Sequence, residues 1–316
     1  MSAATDDRRI RSLRPTKPVV DPWRAHGSLI EEERRPSDTL DLALTVFLAG
    51  AECPFTCSFC DLWRWTIDGP TPGGALPVQL AQVLGSLEGR APPPNRLKLY
   101  NASNFFDRRA VPADDVPAIA ALAAPFAGVT VESHASTIGR LTLEFAQLLS
   151  GRLEVAVGLE TIHPVAARQM NKRLDLKRFD RAARFLSDHD IDLRVFVLLG
   201  APHIPADESV EWTVRTVEYA VQLGAAVVSI IPLRAGNGEL EQLASFGQFA
   251  RPTLGQLEAA LERCLAFAPA AVSADLWDAE HLASCSACRA ARIERLRRIN
   301  LTGRTEAAIS CPTCLS

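Results

Sequence analysis

Three cysteines, Cys53, Cys57 and Cys60, stand in the segment CPFTCSFC, a C-x3-C-x2-C triplet directly after an apolar run. At that spacing one short loop wraps three thiolates round a compact metal centre, and soft thiolate ligands select iron–sulfur clusters or zinc. Three ligands leave one coordination position open, the feature that separates a reactive metal site from a closed structural one. Zinc would want a fourth ligand nearby, and only Asp61 is at hand. A second set reads Cys285-x-x-Cys288 and Cys311-x-x-Cys314, with 22 residues between the pairs. Paired CxxC knuckles are a four-thiolate metal signature. Structural zinc would close a tail too small to bury a core of its own, whereas an auxiliary [4Fe–4S] cluster would relay electrons or touch substrate. The eighth cysteine, Cys264, lies in an apolar helix pattern and reads as a small buried residue.

The elements that must position these thiols follow from hydrophobic patterning. Candidate strands are 42–50, 96–102, 129–133, 153–160, 192–200 and 226–232, with helical patterns near 77–88, 113–125, 142–150, 175–189 and 207–223. Near-continuously apolar strands suit a parallel sheet covered on both faces, and the strand–helix alternation argues for βαβ units. Six such units make a partial barrel or an open doubly wound sheet, and the pattern alone does not choose between them. Thr142 and Asp207 are expected to start helices, and Gly224 to end one. The chain divides into an N-terminal extension (1–40), a core (41–250) and a C-terminal helix with the four-cysteine module (251–316). Residues 1–40 have poor periodicity and read as a solvated arm draped over the core.

The 316 residues are 47% apolar and 22% charged, which excludes a fibrous or wholly disordered chain. A formal net charge of −3 gives no bulk argument for nucleic-acid binding. The first residues lack the apolar segment of a secretory signal, and the apolar runs at 42–51 and 116–129 are too short to cross a bilayer. A cytoplasmic protein without a membrane partner is expected, in a compartment where clustered cysteines serve metals rather than disulfides. No P-loop, HExxH or GxSxG motif is present, so ATP-driven, zinc-protease and serine-hydrolase chemistry are not indicated.

The CxxxCxxC triplet after the first strand, with the aromatic Phe59 before its third cysteine and six βα units following, resembles the radical S-adenosylmethionine (radical SAM) superfamily over roughly residues 42–235. That resemblance implies an α/β fold, a partial (βα)6 TIM-like barrel, with the four-cysteine module appended. It implies a [4Fe–4S] cluster on Cys53, Cys57 and Cys60 whose open iron chelates S-adenosylmethionine, and reductive cleavage to a 5′-deoxyadenosyl radical. A reductant such as a ferredoxin or flavodoxin would supply the electron. Phe59, Asn101, Ser103, Glu132, Ser133 and Glu160 are the cofactor-binding residues it implies, from the loop and the ends of the second, third and fourth strands. The second strand departs from the superfamily pattern: YNASNFF holds neither the glycine nor the acid common there.

The phrases KLYNASNFFD, VTVESHAS, VGLETIHP and NKRLDLKRFDRAA are similar to the radical SAM subunit of archaeosine synthase and its relatives near the Elongator and methylthiotransferase branch. Members of those groups act on tRNA or its modified bases, which makes tRNA or a nucleobase-derived substrate the expectation. Lys172, Arg173, Lys177, Arg178 and Arg181, with Arg289, Arg292, Arg295, Arg297, Arg298 and Arg304 in the tail, would supply phosphate contacts. Radical chemistry on a small metabolite or peptide is the alternative within the class. From another class, the chain would be a non-catalytic iron–sulfur or zinc protein that binds RNA or transfers electrons.

Overall fold

The computed structural model describes residues 3–267 and 270–314. Eight strands form one sheet in sequence order: β1 (Gly27–Arg34), β2 (Leu40–Phe47), β3 (Arg96–Tyr100), β4 (Gly128–Glu132), β5 (Arg152–Glu160), β6 (Asp192–Leu199), β7 (Val227–Pro232) and β8 (Ala271–Ala274). β1 is antiparallel to β2, and every later pair is parallel. The helices are α1 (Ala3–Ser12), α2 (Ala75–Gly85), α3 (Asp115–Ala123), α4 (Arg140–Leu148), α5 (Ala166–Gln169), α6 (Leu176–Asp188), α7 (Ser209–Gln222), α8 (Glu239–Ser245), α9 (Leu254–Leu265) and α10 (Ser286–Thr302). The six expected strands are β2 to β7, each followed by helix, and they curl into the expected partial barrel.

Alternation along each strand divides two environments. Leu44, Val46, Leu97, Leu99, Val129, Val131, Val195, Val197, Val228 and Val272 point at the helices and are fully buried in one apolar core. The other face lines the lumen, and at its lower end it is ionic rather than apolar. Arg194 Nε donates to Glu154 at 2.8 Å and also pairs with Glu33, while Lys98 Nζ lies 2.7 Å from Glu33 and 3.0 Å from Glu31. Arg96 binds Asp41 at 2.6 Å, and Arg35 binds Glu154 at 2.8 Å. Burial opposes the charge of the Glu154 carboxyl, but Arg194 and Arg35 prevail and hold its pKa down at about 2. This ionic layer closes the bottom of the barrel and leaves the upper end for chemistry.

The N-terminal arm is not an irregular solvated segment: it supplies α1 and β1. Its glutamates at alternate positions, Glu31 and Glu33, complete the ionic layer, which explains why no apolar periodicity is visible there. Two expected caps also differ. Thr142 stands inside the first turn of α4, accepting from the Gly139 N–H, and α7 begins after Glu208 rather than at Asp207. Gly224 follows α7 in the left-handed region (φ +86°), as expected of a terminating glycine.

Beyond residue 250 the chain stays with the barrel. β8 extends the sheet beside β7, Cys264 is fully buried in α9, and α10 lies against both edge strands, β1 and β8. Asn300 of α10 accepts from the Ala274 N–H at 2.9 Å and donates to its carbonyl at 2.8 Å.

Candidate functional site

The cysteine triplet leaves the top of β2, at the carboxyl end of the parallel strands, where such folds place their active sites. Buried amides hold the approach to it. Gln79 Oε1 accepts from the Ala49 N–H at 2.8 Å and its Nε2 donates to the Ala49 carbonyl at 2.9 Å, while Thr71 Oγ1 accepts from Ala51 at 2.9 Å. Within the loop, Asn171 donates to the Thr56 carbonyl at 2.7 Å and Asn237 to the Ser58 carbonyl at 2.8 Å. The same Asn237 caps α8 through its Oδ1, accepting from Leu240 at 2.8 Å. Carbonyls that the tight thiol loop turns away from regular structure are thus met by side-chain amides from distant parts of the chain.

Burial raises the pKa of all three thiols, that of Cys57 to about 12, so metal binding here must displace protons. Asn104 Nδ2 donates to Cys53 Sγ at 3.4 Å, and its Oδ1 accepts from the His134 N–H at 2.7 Å. Lys172 enters from the turn after α5, with Nζ 2.5 Å from Glu160 Oε1 and 5.7 Å from the centre of the Phe59 ring. Although burial works against its charge, Glu160 and the nearby Cys57 and Cys53 hold the Lys172 pKa above its ordinary value. The backbone is strained around this ion pair: Glu160, Asn171 and Arg173 all have positive φ, near +66°, +54° and +58°. The left-handed Asn171 and Arg173 flank Lys172 and turn it inward, while their own side chains bond Asp7 of α1.

Glu132, at the end of β4, braces the loop that follows β3. The N–H groups of Asn101, Ala102 and Ser103 all point at its carboxylate, Asn101 at 2.9 Å, so an acid on β4 shapes the loop after β3. Burial pushes the Glu132 pKa up to about 7 against those donors. Above the loop, Asn101 is fully buried and neither its Nδ2 nor its Oδ1 has a hydrogen-bond partner among the described residues. The same holds for Ser103 Oγ and for the buried His134 Nε2. His134 Nδ1 faces Ser136, 2.7 Å from its Oγ and 3.2 Å from its backbone nitrogen. A buried amide with unmet donors and acceptors is costly unless a ligand meets them.

Of the expected residues, the structure gathers Phe59, Asn101, Ser103, Glu132 and Glu160 round the cysteine loop. Ser133 is instead engaged with Thr137 Oγ1 at 2.6 Å, where the chain turns away from β4. Lys172, Asn104, Asn171 and Asn237 are positions at the cysteine loop that periodicity does not reveal. They lie in turns, and the only sequence signal is an amide or cation between helix patterns. Lys172, read as a phosphate contact, is inside the site.

In the tail, Cys285, Cys288, Cys311 and Cys314 bring their sulfurs within 4.8 Å of one another, with 3.9 Å for Cys285–Cys311 and 3.7 Å for Cys288–Cys314. A tetrahedral ion with metal–sulfur bonds near 2.3 Å spaces its thiolates by about 3.8 Å. The N–H groups of Cys314 and Thr313 donate to Cys311 and lower its pKa. The tail arginines are largely neutralised: Arg292 pairs with Glu258, Arg295 with Glu262, Arg297 with Glu294, and Arg298 with Glu306 at 2.8 Å.

The sequence matches no family model and no curated protein. Solved structures do share the fold. Elp3 from Methanocaldococcus infernus, with its N-terminus deleted, superposes with a TM-score of 0.54 at 12% identity over 71% of this chain and 59% of that one. Methylornithine synthase gives 0.52 at 13% identity over 87% and 70%, and a radical SAM methyltransferase from Sphaerobacter thermophilus gives 0.51 at 16% identity over 74% and 68%. This chain spans about three fifths of the Elp3 structure's length.

Proposed function

We propose that this chain, whose barrel is the radical SAM fold, is a radical SAM enzyme in which Cys53, Cys57 and Cys60 hold a [4Fe–4S] cluster. Asn101, Ser103, His134 and the Lys172–Glu160 pair would hold S-adenosylmethionine beside it. When bound, these groups supply one-electron reductive cleavage of the sulfonium and 5′-deoxyadenosyl radical chemistry. The observation that carries the reading is the buried, unpartnered Asn101 amide on the loop whose Asn104 touches Cys53 of the thiol triplet. A cofactor bearing its own donors and acceptors fits that amide, and three thiolates with one open position fit the cluster.

The chain's own residues then have distinct tasks. Lys172 keeps a positive charge next to Cys57 and Cys53 and offsets the negative charge that thiolate ligation brings. Asn104 donates to Cys53 Sγ, the kind of contact that tunes a cluster's potential. Phe55 and Phe59 shield the loop, with Phe55 stacked on His134 at 4.1 Å. A ferredoxin or flavodoxin would deliver the electron. The tail thiols, spaced for one ion rather than for four separate irons, fit structural zinc.

For the substrate, a nucleobase-derived compound is the reading we adopt. The internal pairing of Arg292, Arg295, Arg297 and Arg298 argues against the tail as a grip on the tRNA backbone and favours a small molecule. Among the described residues no helix is long and apolar enough to cross a membrane. The test is anaerobic reconstitution with iron and sulfide, then dithionite and S-adenosylmethionine, with 5′-deoxyadenosine measured as product. No product, where an established superfamily enzyme turns over in parallel, rejects the reading.

A further inference from the structure

The lumen above the ionic layer is lined by rings. Tyr100 follows Arg96 and Lys98 at alternate positions of β3, Phe196 follows Arg194 on β6, and Phe47 follows Asp41 on β2, so all three face inward with the charged residues beneath them. Their centroids lie 6.5 Å apart for Phe47–Tyr100 and 6.2 Å for Tyr100–Phe196, and Trp277, just beyond β8, meets Phe47 edge-on at 6.2 Å. Residues in register with Phe196 on the neighbouring strands are small: Gly158, Ser229 and Ser273.

This tier is open. Phe47, Tyr100 and Phe196 are only half-buried, whereas their helix-facing neighbours Val46, Leu99 and Val195 are fully buried, and Trp277 is 57% exposed. Partly accessible aromatic rings inside a barrel, rimmed by an exposed tryptophan, mark a recognition surface rather than a finished core. The charges below fix what can bind. Arg35, Arg96, Lys98 and Arg194 are each already paired with a carboxylate, so none of these four cations is left for a phosphate or carboxylate. The tier also adjoins the cofactor residues: Asn101 directly follows Tyr100, and the Lys172–Glu160 pair sits over Gly158.

We propose that Phe47, Tyr100 and Phe196, with Trp277 at the rim, form the substrate subsite and accept a flat, uncharged aromatic or heteroaromatic ring. The proposal deepens the radical SAM reading and rests on it for the identity of the site. Stacking holds the ring, and the small residues in register leave space beside it. Substituents bearing charge remain at the rim.

The test is binding of guanosine and of indole to the reconstituted full chain, followed by calorimetry and by quenching of tryptophan fluorescence, with leucine as the aliphatic control. Saturable binding of at least one ring compound, without binding of leucine, is the expected result. Phe196→Leu and Trp277→Ala should each weaken it about fivefold or more. Trp277 is exposed, so its variant decides the matter should Phe196→Leu fail to fold. Absence of binding by both rings, equal binding of leucine, or unchanged affinity in Trp277→Ala overturns the proposal. Formation of 5′-deoxyadenosine by the wild type is measured separately. Cleavage without ring binding overturns the subsite alone, and ring binding without cleavage overturns the radical reading alone.

Discussion

Lys172 meets Glu160 in the space that a side chain at position 158 would occupy: a Cβ on Gly158 would collide with the Glu160 carboxylate and lie 2.5 Å from Lys172 Nζ. Glycine is required at this point of β5 by the ion pair, not by backbone conformation. Gly158→Ala should therefore displace the pair and weaken S-adenosylmethionine binding about tenfold, measured by equilibrium binding to the reconstituted protein. The three cysteines are untouched, so the ~400 nm absorbance of the cluster should remain.

Asn237 joins the cysteine loop to α8 through the Ser58 carbonyl and the Leu240 N–H. Asn237→Ala leaves buried groups unpaired on both sides, a loss of roughly 1–3 kcal/mol. Iron content after reconstitution should fall well below that of the wild type while the thiols are all present. Cys57→Ala should abolish the ~400 nm band altogether, and Cys311→Ala should leave it intact.

The ionic layer makes stability depend on pH in a defined direction. The Glu154 carboxyl is held down at about 2 against an ordinary 4.5, and Glu33 is lowered as well. A carboxyl depressed by folding stabilises the native state fully above its unfolded pKa and loses that contribution as pH falls toward the folded value. Melting temperature should hold steady above pH ~4.5 and fall steeply between ~4.5 and ~2. Glu154→Gln should flatten that slope, at a cost of roughly 3–5 kcal/mol near neutrality from the strained balance round Arg194.

Removing the tail metal should be felt by the barrel. A strong chelator, or Cys311→Ser, should lower the melting temperature by about 10 °C, and one zinc per chain should be found by elemental analysis of the untreated protein. Zinc uptake should release protons, readable in weakly buffered solution. Retention of full stability after metal loss would separate the tail from the fold.

The barrel was legible because helix-facing residues of β2 to β7 are apolar at every second position and the intervening ones are often apolar too. The cysteine loop was legible because three ligands sit within eight residues of each other. What sequence did not reveal has a common cause: it depends on contacts between distant segments. Glu33 and Arg194 are 161 residues apart, and Asn237 and Ser58 are 179 apart. β1 looked irregular because its inward residues satisfy charge rather than apolar periodicity. The loop after β3 is likewise braced from another strand, by Glu132 of β4, a contact that no linear pattern records.

Asn300 presents its side-chain amide to Ala274 as a peptide group would, donating to the carbonyl and accepting from the N–H. One residue of a helix thus impersonates a ninth strand. At Ala274 the outer rim of β8 is thereby satisfied from within the chain, which blunts an exposed strand edge. A barrel cut off before α10 would keep its chemistry-bearing loop but offer that rim for association. The tail therefore covers a strand edge as well as carrying the four clustered thiols.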